Sequence, residues 1–173
     1  MSTHTISVIS PSDLRAQRQV DALLAQAGLA RDQRLEETLG LFDEAYELLA
    51  TGSLLANTLR CVAVDPARKG EGLLAELLTA LMERQYARGH TTVFLYTKPD
   101  SAGFFVDLGF SRIAEVPGLV VFMENKPDAF ARYLKDLSRF LVPGQRTAAV
   151  VMNANPFTLG HRHLLARASE END

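Results

Sequence analysis

Short runs of apolar and β-branched residues recur through the first 126 residues and predict the strands of a sheet. The predicted strands cover residues 39–42, 47–51, 59–64, 92–96, 110–116 and 119–123. The first two flank a short polar turn and form a hairpin. The last two form a second hairpin around Pro117-Gly118, where a type II turn is expected because glycine tolerates a positive φ.

Longer stretches between these runs carry apolar residues at helical spacing. Ser12 is the predicted N-cap of a first helix, Gly72 opens a second that Gly89 closes, residues 102–108 form a short third, and Pro127 suits the first turn of a fourth. The apolar faces of the three long helices are Val20, Leu23, Leu24 and Ala27; Leu73, Leu74, Leu77, Leu78, Leu81, Met82 and Tyr86; and Phe130, Tyr133, Leu134, Leu137, Phe140 and Leu141. Strands with helices inserted between them predict an α/β (α+β) fold with a mixed, mostly antiparallel sheet flanked by helices.

Composition and charge narrow the class of protein. The chain has 173 residues, of which 47% are hydrophobic and 23% charged, with a formal net charge of −3. This balance gives no electrostatic reason to expect nucleic acid or an anionic membrane as a partner, and the apolar runs are far shorter than the ~18 residues that span a bilayer. The single cysteine, Cys61, excludes an internal disulfide and fits a reducing compartment. We expect a cytoplasmic protein.

A strand, a basic glycine turn and a helix follow one another in the first half of the chain. Small residues in such a turn let backbone amides approach a pyrophosphate, while Arg68 or Lys69 supplies positive charge. The competing interpretation is an ordinary charged turn before a helix. The candidate cofactor-binding residues are Cys61, Val62, Ala63, Val64, Arg68, Lys69, Gly70, Glu71, Gly72 and Leu73.

The element order, with KGEGLL in the turn and DLGF after the short helix, resembles the GNAT family, the GCN5-related N-acetyltransferases. The resemblance implies that residues 61–64 offer backbone groups to the pantetheine arm of coenzyme A and that the turn wraps its pyrophosphate. Members of that family often use a tyrosine to protonate the departing thiolate. Here that position is Phe105, which has no proton to donate. The residues therefore support the fold better than the transfer chemistry.

Cys61 has two interpretations. Thiolates are good nucleophiles, so Cys61 could accept an acyl group. No histidine lies near it in sequence, however, and an isolated cysteine in a strand is more often a small buried hydrophobic residue.

The same local order returns near the end of the chain. The apolar run 148–152 predicts a buried strand, an Asn-Pro pair breaks it, and a helical pattern opens at Gly160. Free N–H groups at such a helix start bind anions, although His161 could simply belong to an ordinary first turn. His163 and His161 cannot bind one metal ion together from the same helix, because side chains two residues apart on a helix point about 200° away from each other. We therefore expect no metal.

The segment NPFTLGH resembles the opening motif of the nucleotidyltransferase superfamily, D-P-x-H-x-G-H. In this alignment Asn155 stands for the acid, Thr158 for the first histidine and His161 for the second. The resemblance implies that Asn155 helps to bind a nucleotide. It also implies that Thr158 and His161 are catalytic, contacting the triphosphate of ATP and stabilising charge as pyrophosphate leaves.

The Val-Pro-Gly-Gln segment at residues 142–145 is the best predicted domain boundary. It divides an acetyltransferase-like domain, residues 1–142, from residues 143–173. A doubly wound parallel sheet needs a dozen or more residues for each crossover, and the remainder can supply one strand and one helix. We therefore expect only the start of a nucleotidyltransferase (Rossmann-like) domain, truncated soon after it begins.

The two parts together resemble the citrate lyase ligase family, through LLATGSLLANTLRCVAVDP, KGEGLLAELLTALMERQY and VVMNANPFTLGHRHL. The resemblance implies an acid-thiol ligase. ATP and acetate form acetyl-adenylate with release of pyrophosphate, and the acetyl group passes to the thiol of a CoA-like prosthetic group on the citrate lyase acyl-carrier subunit. The N-terminal domain would hold that arm, and these 173 residues alone would not adenylate acetate. Two alternatives stay open: an acetyl-CoA-dependent N-acetyltransferase acting on an amine, and a binding module that recognises a carrier without chemistry.

Overall fold

The computed structural model describes residues 4–141, 144, 146–170 and 172. The strands are β1 (Thr5–Val8), β2 (Glu37–Phe42), β3 (Leu48–Leu55), β4 (Thr58–Val64), β5 (Phe94–Thr97), β6 (Ser111–Val116) and β7 (Val120–Glu124). The α-helices are α1 (Leu14–Gln26), α2 (Leu73–Ala87), α3 (Pro99–Asp107), α4 (Ala129–Leu137) and α5 (Leu159–Glu170), with short 3₁₀ turns at Pro66–Arg68 and Ser138–Phe140.

The strands form one seven-stranded sheet in the order β1-β2-β3-β4-β5-β7-β6. All neighbours are antiparallel except β4 and β5, which run parallel. The predicted mixed, mostly antiparallel sheet flanked by helices is confirmed. Strand β1 was not predicted, because its TISV run is short and only its pairing with β2 identifies it as a strand.

Two apolar cores lie on opposite faces of the sheet. Side chains of adjacent strand residues point to opposite faces, and Leu41 belongs to the core around α2 whereas Phe42 belongs to the core around α1. The larger core also takes in Phe105 of α3 and Val121 and Met123 of β7. Helix α1 therefore packs on one face of the sheet, and α2 and α3 pack on the other.

The N-cap of α1 is Asp13, so the prediction of Ser12 is wrong. The Asp13 Oδ1 accepts a hydrogen bond from the Ala16 amide at 3.0 Å, whereas the Ser12 hydroxyl lies 2.7 Å from that of Ser10. Both residue types cap helices well, and the tertiary contact decides between them. The Tyr46 hydroxyl donates to the other carboxylate oxygen of Asp13 at 2.8 Å.

The buried stripe of α2 differs from the prediction at its C-terminal end. Tyr86 is 51% exposed, and the neighbouring Gln85 is fully buried instead. The Gln85 amide donates to the carbonyl oxygens of Ala56 at 2.9 Å and Thr58 at 3.4 Å. The Gln85 Nε2 group thus satisfies two carbonyl groups where β3 leads into β4, while its Oε1 has no hydrogen-bond partner among the described residues.

The helix after β7 begins later than predicted. Pro127 lies in a turn before α4, in which Asp128 has a φ of 63°, and α4 starts at Ala129. The buried carboxylate of Glu124 accepts a hydrogen bond from the Phe130 amide at 2.8 Å and so caps the first turn. No sequence pattern singles out Glu124 as a cap, because the chain reversal after β7 brings the Phe130 amide to it.

The chain divides into two compact units, the first ending at Arg132 and the second beginning at Tyr133. The division therefore falls inside α4. The predicted boundary between Val142 and Pro143 lies outside the described residues.

Residues 148–152 form no strand, although their apolar pattern is typical of one. These residues have no regular secondary structure, and Val151 is 100% exposed, whereas α5 forms as predicted. A helix satisfies its own backbone hydrogen bonds, but a strand needs a neighbour. No described strand pairs with this run.

Candidate functional site

A bulge interrupts β4 in the middle of the predicted cofactor strand. The β3–β4 register shifts between Thr51 and Ser53, so that Cys61 and Val62 stand opposite the single residue Gly52. Cys61 has a φ of 51°, a backbone conformation that non-glycine residues rarely adopt. A Cβ atom at Gly52 would lie 2.6 Å from Leu81 Cδ1 of α2. Gly52, which the sequence analysis missed, therefore lets α2 pack against the bulge.

Strands β4 and β5 separate soon after they begin. They pair only at Thr58 with Phe94 and at Leu59 with Leu95, although β4 runs on to Val64. In the described ladders all four residues of β5 pair with β7 on its other edge, and β4 pairs with β3. Residues 60–64 of β4 therefore have one backbone edge without a strand neighbour. An extended ligand can add to such an edge through main-chain hydrogen bonds.

The glycine turn lies at the end of this open strand. Asp65 accepts a hydrogen bond from the Ala67 amide at 2.9 Å and caps the 3₁₀ turn. Gly70 and Gly72 have φ values of 92° and 80°, and a Cβ atom at either position would meet nothing within 4 Å. Both glycines are thus required by their backbone conformation, while the space beside them is open.

Helix α2 begins at this turn with donors directed outward. Its N-cap is Gly72, which has no side chain to bond the free amides of the first turn. The positive end of the helix dipole lies at the same place. The turn and the helix start therefore form a surface that favours an anion.

The two basic side chains next to the glycines, Arg68 and Lys69, differ in whether they have an ion-pair partner. Arg68 is paired with Glu71 at 3.4 Å, so part of its charge is already neutralised. Lys69 is exposed and has no ion-pair or hydrogen-bond partner in the described part of the chain. Lys69 is therefore the better placed of the two to meet a phosphate. Lys69 lies beside Gly70 and Gly72 at the turn, and Leu73 opens α2.

The surroundings of Cys61 fit a half-buried thiol. Its Sγ accepts a hydrogen bond from the Asp32 amide at 3.3 Å. Burial raises the pKa of the thiol above its ordinary value, with smaller opposing contributions that include the Asp32 amide. A raised pKa lowers the thiolate fraction near neutral pH. This favours the small buried residue over the acyl acceptor.

The side chain of Phe105 lies in the core. It is 5% exposed and packs edge-on against Phe110 with ring centroids 6.3 Å apart. The position that could carry a proton donor therefore holds a packing residue that contributes to the larger core.

An aromatic surface follows the point where β4 and β5 separate. Tyr96 of β5 stacks on Phe122 at 4.6 Å, and the guanidinium of Arg60 lies 5.0 Å from the Tyr96 ring centroid. Arg60 also pairs with Asp32 at 3.6 Å. The sequence analysis did not select these residues. The alternation of Phe94 and Tyr96 along β5 was the available signal.

In the second motif the structure brings Thr158 and His161 together. The Thr158 hydroxyl lies 2.9 Å from Nδ1 of His161, and the Thr158 amide donates to the same nitrogen at 3.0 Å. Thr158 immediately precedes α5, and the Phe157 ring lies beside the imidazole at 5.7 Å. Asn155 does not join this contact. Its backbone N–H donates a hydrogen bond to the side-chain oxygen Oδ1 of Asn153 at 3.3 Å.

Neither a membrane span nor a metal cluster is found in the described residues. None of their helices has both the length and the apolar character to cross a bilayer. The described His, Cys, Asp and Glu side chains form no group that could hold a metal ion.

The fold, with its open strand and glycine turn, indicates the structural class of the protein when it is compared with solved structures. The structure resembles a solved aminoglycoside 6'-N-acetyltransferase complexed with coenzyme A, with a TM-score of 0.61 over 69% of this chain and 95% of that one. Sequence identity is 14%, so this likeness shows the fold alone. The sheet and its helices have the GNAT acetyltransferase fold.

Sequence relatives then identify the family. The citrate (pro-3S)-lyase ligase of Klebsiella pneumoniae is 38% identical over 154 residues, which cover 89% of this chain and 45% of that protein. The Escherichia coli enzyme of the same name is 37% identical over 164 residues, covering 92% and 46%. The family model for the citrate lyase ligase C-terminal domain matches residues 147–173. The chain belongs to the citrate lyase ligase family and spans about half the length of these curated relatives.

Proposed function

We propose that this chain is the part of a citrate lyase ligase that holds the CoA-like arm of an acyl carrier and supplies the first nucleotide-contacting residues of the ligase. The observation that carries the proposal is the open edge of β4 ending in the glycine turn. The related ligases and the CoA complex of the aminoglycoside acetyltransferase support it.

The open edge suits the pantetheine part of the arm. Pantetheine is extended and carries amide groups, so it can bond residues 60–64 as an added strand would. The bulge at Cys61 bends β4 away from β5 and makes room beside it. The arm would occupy this gap with its amides on the β4 backbone.

The pyrophosphate would lie at the turn. Amides of Gly70 to Leu73 and the start of α2 would donate hydrogen bonds to its oxygens, and Lys69 would supply positive charge. The open space beside Gly70 and Gly72 fits such a group. Binding there needs close approach to the backbone, which side chains at these positions would obstruct.

The residues around Thr158 fit a nucleotide phosphate. Alanine is about 1 kcal/mol better than glycine inside a helix. Yet a Cβ atom at Gly160 would make only an ordinary contact, 3.6 Å from the Thr158 hydroxyl. Packing therefore does not require glycine at this position. Close approach of a phosphate to the start of α5, with His161 as a donor, supplies a reason for it.

We infer that the two sites would act in two successive steps of the reaction of the whole ligase. An acetate oxygen attacks the α-phosphorus of ATP, pyrophosphate leaves, and the thiol of the prosthetic group then attacks the acetyl carbonyl while AMP leaves. In this scheme His161, which Thr158 holds in place, stabilises the departing charge, and the acyl carrier of citrate lyase is the partner. We attribute adenylation to the longer ligases rather than to these 173 residues.

The main alternative is an acetyl-CoA-dependent N-acetyltransferase, which the fold alone would favour. That reaction releases a thiolate, which a nearby acid must protonate. The position suited to this role is the buried Phe105. Its side chain cannot donate a proton, so we prefer arm binding without amine acetylation.

Calorimetric titration with CoA and dephospho-CoA tests the proposal, with Gly72→Val as the decisive variant. Valine at a φ of 80° is strained and blocks the approach of a pyrophosphate, so binding should weaken about tenfold or more. Gly89→Val is the matched control, since Gly89 also has a positive φ, 85°, and open space, but lies at the other end of α2. Equal affinity in both variants would refute the site. Acetylation of an added amine by acetyl-CoA would favour the alternative.

A further inference from the structure

Thr158 and His161 form a reciprocal pair at the start of α5. The Thr158 hydroxyl accepts from the His161 amide at 3.5 Å, as an N-cap side chain does. In return the imidazole of His161 reaches back, with Nδ1 lying 3.0 Å from the Thr158 amide nitrogen and 2.9 Å from its hydroxyl. This is the geometry of a capping box, with an imidazole in the place of the usual Glu or Gln.

The backbone amide and the hydroxyl of Thr158 together decide which ring nitrogen of His161 carries the proton. An N–H group can only donate, so Nδ1 must present its lone pair to Thr158. A proton on Nδ1 would point at the proton of that amide. The neutral ring therefore carries its proton on Nε2, on the far side from Thr158, and Nε2 has no partner in the described part of the chain.

We propose that Thr158 is a positioning residue that fixes His161 as the Nε2–H tautomer and presents this N–H as a donor to an anionic oxygen. The use of the donor rests on the proposed function, in which the oxygen belongs to a nucleotide phosphate. Thr158 acts through His161: its amide and hydroxyl hold Nδ1, and the neighbouring Phe157 ring lies against one side of the imidazole.

A purely structural role for Thr158 would be that of a helix cap. Serine, threonine and aspartate all cap helices well, so the stability of α5 cannot separate the two roles. The tautomeric state of the His161 ring distinguishes the helix-capping role of Thr158 from the positioning role. A hydroxyl can donate to Nδ1 and stabilise the Nε2–H form, whereas a carboxylate only accepts and favours a proton on Nδ1.

The test is a two-bond ¹H–¹⁵N correlation spectrum of the ¹⁵N-labelled chain, recorded at a pH where histidine rings are neutral. Loss of one signal set in His161→Gln assigns the His161 ring. His163 on the same helix is the internal reference, because it is exposed. We expect the ratio of Nε2–H to Nδ1–H to be about fivefold higher for His161 than for His163, the effect of one net hydrogen bond.

Two substitutions complete the test. Thr158→Ser should keep the wild-type ratio, and Thr158→Asp should lower it about fivefold while α5 stays capped. The same ratio in wild type, Thr158→Ser and Thr158→Asp would overturn the positioning role. If α5 unravels in Thr158→Asp, the comparison of His161 with His163 in the wild-type chain still decides, and equal ratios there refute the proposal.

Titration of the same sample with ATP separates this inference from the proposed function. A shift of the His161 Nε2 signal by ATP, absent in Thr158→Asp, supports both. A fixed tautomer without any response to millimolar ATP upholds the role of Thr158 and overturns His161 as a nucleotide contact in this chain.

Discussion

Two segments of this chain have the same local order, an apolar run, a turn and a helix, yet only one forms all three elements. Residues 59–64 lie in β4, paired with β3 along its length, and lead through the glycine turn into the buried helix α2. Residues 148–152 form no strand, although the helix that follows, α5, is present. A turn and a helix are specified locally, whereas a strand exists only where a neighbour accepts its hydrogen bonds.

The same difference distinguishes the two candidate anion sites by how the fold holds them in place. In the first segment the open edge of β4 and the glycine turn are held by a sheet and a buried helix. In the second, Thr158 and His161 hold each other within one helical turn. The first site needs the whole fold, and the second needs only four consecutive residues.

The largest expected effect is in amide hydrogen exchange. We expect the amides of residues 148–152 to exchange at least about 10³-fold faster than those of β3, because β3 is paired on both sides and opens only with the fold. Mass spectrometry of peptic fragments at two protein concentrations measures this difference. Protection of residues 148–152 equal to that of β3 at both concentrations would show that they belong to a sheet.

Core substitutions give the next largest effect. Leu77→Ala in α2 removes a side chain that is 0% exposed and should lower the free energy of unfolding by about 2–5 kcal/mol. Leu164→Ala in α5 is the matched substitution, and because Leu164 is 47% exposed it should cost about 0.5 kcal/mol or less. Urea denaturation followed by circular dichroism measures both. Equal losses would contradict the contrast between the two helices.

The smallest expected effect concerns pH and the helix caps. The hydrogen bond from the Ala16 amide, followed by that from the Tyr46 hydroxyl, lowers the pKa of Asp13 below its ordinary value. Its contribution to stability is therefore complete above the unfolded pKa of about 4 and is lost as pH falls through the folded pKa. Thermal unfolding between neutral and acidic pH should show this loss.

Asp13→Ser is the matched variant for that measurement, because serine caps a helix without a titratable carboxylate. Its acid destabilisation should be smaller than that of the wild-type chain. An unchanged pH dependence would show that the Asp13 cap of α1 contributes nothing to the loss of stability at acidic pH. The Thr158 cap of α5 has no such group and provides the uncharged comparison.

Much of the candidate site could be predicted from the sequence, because local chemistry specifies it. The glycines at 70 and 72 adopt the positive φ values that the turn requires, and α2 starts beside them. The contact between Thr158 and His161 follows from a three-residue spacing at a helix start. These features depend on backbone preferences within a few residues.

Tertiary structure alone decided the rest. The bulge at Cys61 and the separation of β4 from β5 depend on the register of neighbouring strands, which no local pattern encodes. The choice of Asp13 over Ser12 and of Gln85 over Tyr86 depended on partners distant in sequence, Tyr46 for the first and Ala56 for the second. An apolar run such as residues 148–152 has strand propensity, but pairing determines whether it becomes a strand, because its backbone groups must be satisfied by another segment.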